Sequence, residues 1–202
     1  MCILRVQRKQ VMRHLQWRRN PEDVGPKDLS VVKNALAGCE GFAVIGAAAV
    51  TQFAPGRFTH DVDILCLPES YLPIVYRLRE SLSERGQPMR FGKRWELFRV
   101  GTRFRQMPVD VLRLRDEIAD ELFPRGIPTV LSQGVPILRK PELCLLKMIA
   151  GRARDDADVH RLVRTMVDSE IRRAHRLIRR VLGEEAARAF DNTVSQERAA
   201  PF

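Results

Sequence analysis

Ile45-Gly46-Ala47-Ala48-Ala49-Val50, followed by Arg57-Phe58-Thr59-His60-Asp61-Val62-Asp63-Ile64-Leu65, decides how the rest of this 202-residue chain is read. The apolar run Phe42 to Ile45 predicts a short buried strand ending at Gly46, where backbone without a side chain lets a ligand come close. A helix from Ala47 to Phe53 is expected immediately after. Free N–H groups at such a helix start favour an anion such as a triphosphate. Pro55-Gly56 turns the chain into a second strand, Asp61 to Leu67. Asp61 and Asp63 are two apart on it, so both carboxylates face one side with Cα atoms about 6.8 Å apart, while Val62 and Ile64 face the core. Two carboxylates side by side repel unless a cation lies between them, and hard oxygen ligands beside a phosphate-binding turn suit magnesium. Asp110 is a lone acid in the apolar strand Pro108-Val109-Asp110-Val111-Leu112. Buried there, it needs a metal or an arginine partner, and it is the natural third ligand for two metal ions about 3.5–4 Å apart.

Working outward, Asp28 or Ser30 can cap a helix that runs to Ala37 and stops at Gly38. Glu69 to Arg85 carries a helical pattern through Leu72, Val75, Tyr76, Leu78 and Leu82. Trp95 to Val100 and Met107 to Leu114 read as extended, Asp116 to Phe123 as a short helix, and Thr129 to Leu131 and Val135 to Leu138 as short strands. After Pro141 the chain reads as helical throughout, with helices near Glu142 to Ala150, Asp155 to Val167, Ser169 to Leu182 and Glu184 to Ser195. The fold class expected is α+β: a mixed β-sheet core flanked by helices, then a C-terminal helical segment. Residues 1–26 form a basic N-terminal arm or helix, 27–140 the core, and 141–202 the C-terminal helical region.

Hydrophobic residues make up 45% of the chain, enough for a buried core. No apolar run is long enough to span a bilayer, and Met1 to Asn20 lacks a signal-peptide pattern, so no membrane partner and a cytoplasmic location are expected. Cys2, Cys39, Cys66 and Cys144 show no C-x-x-C spacing, which argues against a zinc site or a disulfide framework. Cys39, Cys66 and Cys144 read as small core residues. The formal net charge is +10, carried by 29 Arg and 6 Lys. An arginine excess favours a polyanionic partner, nucleic acid first.

The ordered set Gly46-Ala47, helix, Arg57, Thr59, Asp61-x-Asp63 and a later Asp110 resembles the signature of the DNA polymerase β-type nucleotidyltransferase superfamily. That signature is a Gly-Ser or Gly-Gly turn, a helix, Asp-x-Asp on the next strand and one more Asp on a later strand. The match looks closest to the small bacterial branch containing AbiEii-like toxins, in which Arg-x-Thr-x-Asp-x-Asp recurs. A later stretch like Lys-x-x-Ala-x-Arg-x-x-Asp-x-x-Asp also recurs there, written here as Lys147-Met148-Ile149-Ala150-Gly151-Arg152-Ala153-Arg154-Asp155-Asp156-Ala157-Asp158. The resemblance spans about Leu29 to Met166. It implies a magnesium-dependent enzyme, with two Mg2+ ions, that moves a nucleoside monophosphate from an NTP to an RNA (tRNA) 3′ end or a protein hydroxyl. It also implies a toxin–antitoxin component with a cognate antitoxin as partner. Asp61, Asp63 and Asp110 would hold metal and nucleotide, the Gly46 turn the β- and γ-phosphates, and Lys147 would neutralise phosphate charge. Arg57 and Thr59 belong to the nucleotide-binding motif, and Asp155 or Asp158 would orient groups near the site. Ala47 departs from the pattern, because the hydroxyl of a serine is lost and only its backbone N–H remains.

The residues read by themselves keep other roles open. Lys147 suits an exposed helix surface, and Asp155 suits a helix cap with Asp156 and Asp158 in the first turn. Residues 77–115 hold eleven Lys or Arg against four acids. Arg99, Arg103 and Arg105, just ahead of Asp110, would line a path for a polyanionic acceptor. Arg172, Arg176 and Arg179 fall on one helix face that suits RNA or simply solvent. The alternative to an active enzyme is a catalytically weak or inactive relative that binds RNA or a protein partner.

Overall fold

The computed structural model describes residues 29–54, 59, 61–82, 87–91, 95–100, 109–114, 119–120, 122–123 and 125–199. The N-terminal arm expected at 1–26 lies outside them. Among the described residues, fifteen elements follow in order. They are α1 (Ser30–Ala35), β1 (Phe42–Ile45), α2 (Gly46–Phe53), β2 (Val62–Cys66), a 3₁₀ turn (Pro68–Ser70) and α3 (Tyr71–Leu82). Then come β3 (Gln87–Phe91), β4 (Trp95–Val100), β5 (Val109–Leu114), β6 (Thr129–Ser132) and β7 (Val135–Leu138). The last four are α4 (Lys140–Ala150), α5 (Ala153–Arg164), α6 (Asp168–Leu182) and α7 (Glu184–Ala199).

The strands form one mixed sheet in the order β3-β4-β5-β2-β1-β7-β6. β2 runs antiparallel to β1 and parallel to β5, so the register sets Ile45, Asp63 and Asp110 in one row across the middle of the sheet. Arg99 of β4 stands opposite Asp110 and continues that row. β1 is buried along its whole length, and β2 is buried except at Asp63, which is partly exposed. Strands covered on both faces read as continuous apolar runs, which is why Phe42 to Ile45 shows no alternation. α2 lies on β1 and β2 and packs against α4 and α5. Its Ala47, Ala48, Ala49 and Val50 are all buried, since small side chains let a helix pass close between a sheet and two other helices. α3 packs on β4, β5 and α1. One continuous buried cluster includes Val44, Ile64 and Val111 of the sheet and Leu143, Leu162, Ile178 and Phe190 of the last four helices. The α+β class is therefore the one expected: a mixed sheet flanked by helices and followed by a helical segment.

Several boundaries differ from expectation. α1 starts after Leu29, which is fully buried and has no side chain that could cap the helix, and Asp28 lies outside the described residues. β2 begins at Val62, leaving Asp61 just ahead of the strand. The helix expected from Glu69 is a 3₁₀ turn through Pro68–Ser70 before α3 begins. β3 was not expected. It carries Pro88 and sits at the sheet edge, where a missing N–H is tolerated and the sequence signal for a strand is weak. α5 ends at Arg164 rather than Val167, and Val167 instead precedes α6. Of the short helix expected at Asp116 to Phe123, Ala119, Asp120 and Leu122 are helical among the described residues.

Candidate active site

Gly46 opens α2 with φ +67°, a left-handed backbone that disfavours any other residue. Its missing side chain matters a second time. A Cβ built on Gly46 would lie 2.0 Å from Asp63 Oδ2 and 2.9 Å from its Cγ. The carboxylate of β2 therefore rests against the first residue of the helix that leaves β1. That placement brings a negative charge to the end of α2 where N–H groups lack intrahelical partners.

Asp110 stands beside Asp63 on the parallel neighbour β5, and in-register neighbours share a face of the sheet. Asp110 is buried, while Val109 and Val111 point the other way into the core. Asp61 is partly exposed, and its Oδ1 accepts a hydrogen bond from the Thr59 hydroxyl at 2.5 Å. Thr59 itself is buried. The outcome is electrostatically crowded. Burial pushes the Asp63 carboxyl up to about 7, the charges of Asp61 and Asp110 push in the same direction, and Lys147 and Arg152 oppose them.

The cations that oppose this come from the joint between α4 and α5. Gly151, at φ 56° and ψ 38°, closes α4 in the left-handed conformation, and its N–H bonds the Lys147 carbonyl. This cap turns the chain so that Arg152 precedes α5. Asp155, three residues on, accepts the Arg152 backbone N–H at 3.3 Å, its Nε at 2.5 Å and its Nη2 at 3.1 Å. Lys147 Nζ lies 3.1 Å from Asp155 Oδ1 and 2.8 Å from Asp158 Oδ2. Arg161 adds a contact to Asp158 at 3.2 Å. Both aspartates are fully buried and Lys147 is nearly so. Burial alone would raise the Asp155 carboxyl, but the hydrogen bond from Arg152 and the charge of Lys147 together hold it below the usual carboxylate range. The Asp155 hydrogen bond in turn raises the Arg152 guanidinium, and the charges of Asp63 and Asp61 act on it too.

The exposed-lysine role left open for Lys147 is thus excluded, and Asp155 both caps α5 and pairs with two cations. Arg152 carried no role in the sequence reading, although it lies within the motif. The available signal was its place directly after a helix-ending glycine and three residues before an acid. Arg57, Arg103 and Arg105 lie outside the described residues. Arg99 is placed only by register, opposite Asp110. Arg172, Arg176 and Arg179 lie on α6, which packs on α4 and α7. Arg179 is paired with Glu184 at 2.7 Å. A groove of about 310 Å³ on this helix is lined by Arg173, Arg176, Leu177 and Arg180. Cys66 and Cys144 are buried free thiols, as expected, and Cys39 is half-buried. Burial pushes the Cys66 thiol up to about 12.

Asp61, Asp63 and Asp110 fit a divalent cation in kind: hard oxygens whose mutual repulsion a metal relieves. Among the described residues no group of three or more His, Cys, Asp or Glu side chains is placed to hold a metal ion. Magnesium sites at nucleotides are commonly completed by phosphate oxygens and water. No helix among the described residues is long and apolar enough to cross a membrane.

No protein-family model matches the chain, and no curated protein sequence matches it. Among solved structures, it is similar to the crystal structure of ANT(2″)-Ia in complex with adenylyl-2″-tobramycin, at 16% identity and a TM-score of 0.40. That likeness covers 84% of this chain and 98% of the other. Similarity at this level assigns no activity to the chain.

Proposed function

We propose that this protein is a nucleotidyltransferase that moves a nucleoside monophosphate from an NTP to a hydroxyl acceptor and releases pyrophosphate. The observation that carries the reading is the seating of Asp63 against Gly46 at the start of α2, with Asp110 beside it in register. The start of α2, where N–H groups lack intrahelical partners, and the Asp63 and Asp110 carboxylates thus stand side by side, an arrangement suited to in-line phosphoryl chemistry. Asp61, Asp63 and Asp110 would hold Mg2+, which when bound supplies charge neutralisation at the transferring phosphate. The chain's own part is positioning. The N-terminal amides of α2 receive phosphate oxygens, Thr59 orients Asp61, and Asp110 accepts the proton of the attacking hydroxyl. RNA is the acceptor favoured by the arginine excess, with a protein hydroxyl as the other class. A toxin–antitoxin setting with a cognate antitoxin belongs to the same proposal and rests on the motif resemblance.

A second reading, a nucleotide-fold protein with weak or no turnover that binds RNA or a partner, is favoured by Ala47. It is buried at the turn, where a serine would add a hydroxyl donor for phosphate. One experiment separates the two. The chain is incubated with each of four labelled NTPs, Mg2+ and total tRNA, alongside Asp61→Ala and Asp63→Ala. The enzyme reading expects label on RNA or protein from one NTP and none from either variant. Full transfer by either variant, or no transfer by the wild type, rejects it.

A further inference from the structure

Two cations act on Asp63, and they are built differently. Lys147 is enclosed. Its side chain is 5% exposed, and its ammonium already sits between two fully buried carboxylates. Moving it to a ligand would take a cation away from two buried carboxylates at once, which is unfavourable. Arg152 is open, with its side chain 66% exposed. Asp155 grips it bidentately, through Nε at 2.5 Å and Nη2 at 3.1 Å. A guanidinium has about five N–H donors, so most of its donor capacity is not used by that grip. Its backbone is fixed as well, between the left-handed cap of α4 and the first turn of α5. α5 packs on α2, the helix that opens at Gly46. A fixed, solvent-facing guanidinium on which the charges of Asp63 and Asp61 act is suited to planar recognition of phosphate. A triphosphate delivered to three aspartates also needs a cation that is not already enclosed.

We propose that Arg152 is a nucleotide-binding residue, its exposed guanidinium contacting the triphosphate held at the Gly46 turn, and that Asp155 is the positioning residue that fixes it. The proposal rests on the nucleotidyl-transfer reading and adds to it the group that meets the phosphates. Lys147 then acts from behind, holding Asp155 and Asp158 in place.

The test is equilibrium binding by calorimetry, with the full chain in Mg2+. The probes are the α,β-methylene triphosphate analogues of the four bases and the matching nucleoside monophosphates. Arg152→Ala is expected to weaken the preferred triphosphate about 10- to 100-fold, the range for losing charge-assisted hydrogen bonds. Its effect on the monophosphate should be less than about twofold, since the lost contact is with the outer phosphates. Arg152→Lys should recover part of the affinity. Millimolar guanidinium ion should recover part of it in Arg152→Ala and none in the wild type. Asp155→Asn should weaken the triphosphate in the same direction. A purely structural cap would not discriminate triphosphate from monophosphate, nor respond to guanidinium. Arg152→Gln provides a second variant if the alanine chain is not folded by its melting curve. Wild-type triphosphate affinity in a folded Arg152 variant overturns this proposal and leaves the transfer reading standing. A wild type that binds none of the triphosphates overturns both.

Discussion

The Asp63 carboxylate occupies the space that a side chain on Gly46 would need. Oδ2 lies 2.0 Å from the position of the absent Cβ, and the glycine itself is left-handed. The glycine is therefore required twice, once by its backbone angle and once by the acid of the neighbouring strand. This contact joins the end of β1, the start of α2 and the middle of β2 at one point.

Gly46→Ala should destabilise the protein by about 1–3 kcal/mol from the strained backbone alone, with a further loss from displacing Asp63. The two causes separate in a double-mutant cycle. In an Asp63→Ala background the same glycine substitution should cost less, by about 1 kcal/mol, because the obstructing carboxylate is gone while the strain remains. Urea unfolding of the four chains measures this. Strict additivity would mean that the two residues do not touch.

Asp63 gives a pH dependence with a definite sign. Its folded-state value is pushed from 3.8 up to about 7 by burial and by Asp61 and Asp110. A group raised on folding contributes stability that is fully present below its unfolded value and is lost as pH rises through the folded one. In EDTA, the wild type should therefore lose stability between about pH 4 and 7 relative to Asp63→Asn, which does not titrate. At pH 8, Mg2+ should raise the melting temperature of the wild type and leave that of Asp63→Asn almost unmoved. Parallel melting curves across pH, with and without the ion, would contradict the crowding of the three acids.

Lys147→Met should be a stability variant before it is an activity variant. The substitution removes the ammonium between Asp155 and Asp158 while leaving two carboxylates in a fully buried position. Breaking such a pair from one side costs about 3–5 kcal/mol. Adding Asp158→Asn should return part of that. Chemical denaturation reads both, and an unchanged midpoint for Lys147→Met would show that the lysine is not enclosed as described.

If RNA is the acceptor, as proposed, the α6 groove distinguishes between neighbouring arginines. Arg176 lines it with Arg173 and Arg180, whereas Arg179 is paired with Glu184. Arg176→Glu should weaken tRNA binding and lower the magnitude of the salt slope by about 1. Arg179→Glu should do less. Filter binding at several salt concentrations compares them, and equal effects would argue for a diffuse field instead of a defined groove.

Much of the architecture was legible because local rules and burial agreed. Phe42 to Ile45, the Gly46 stop, Val135 to Leu138 and the last four helices carry periodicity, glycine caps and proline starts that need no distant partner. β3 was hidden because Pro88 contradicts a strand unless the strand lies at an edge, and edge position is a property of the whole sheet. The sequence by itself determined that a glycine precedes a helix, that two acids stand two residues apart beyond it, and that one more acid lies in an apolar strand. Only the tertiary structure decided that β5 runs parallel to β2 with Asp110 at the level of Asp63, because strand order and register are set by long-range pairing. It likewise decided which cation is enclosed and which is open. Lys147 and Arg152 lie five residues apart with similar charge, yet packing of α5 against α4 buries one between two aspartates and leaves the other facing water. Spacing along a chain fixes which residues can be neighbours on one element, whereas burial depends on what the rest of the chain lays over them.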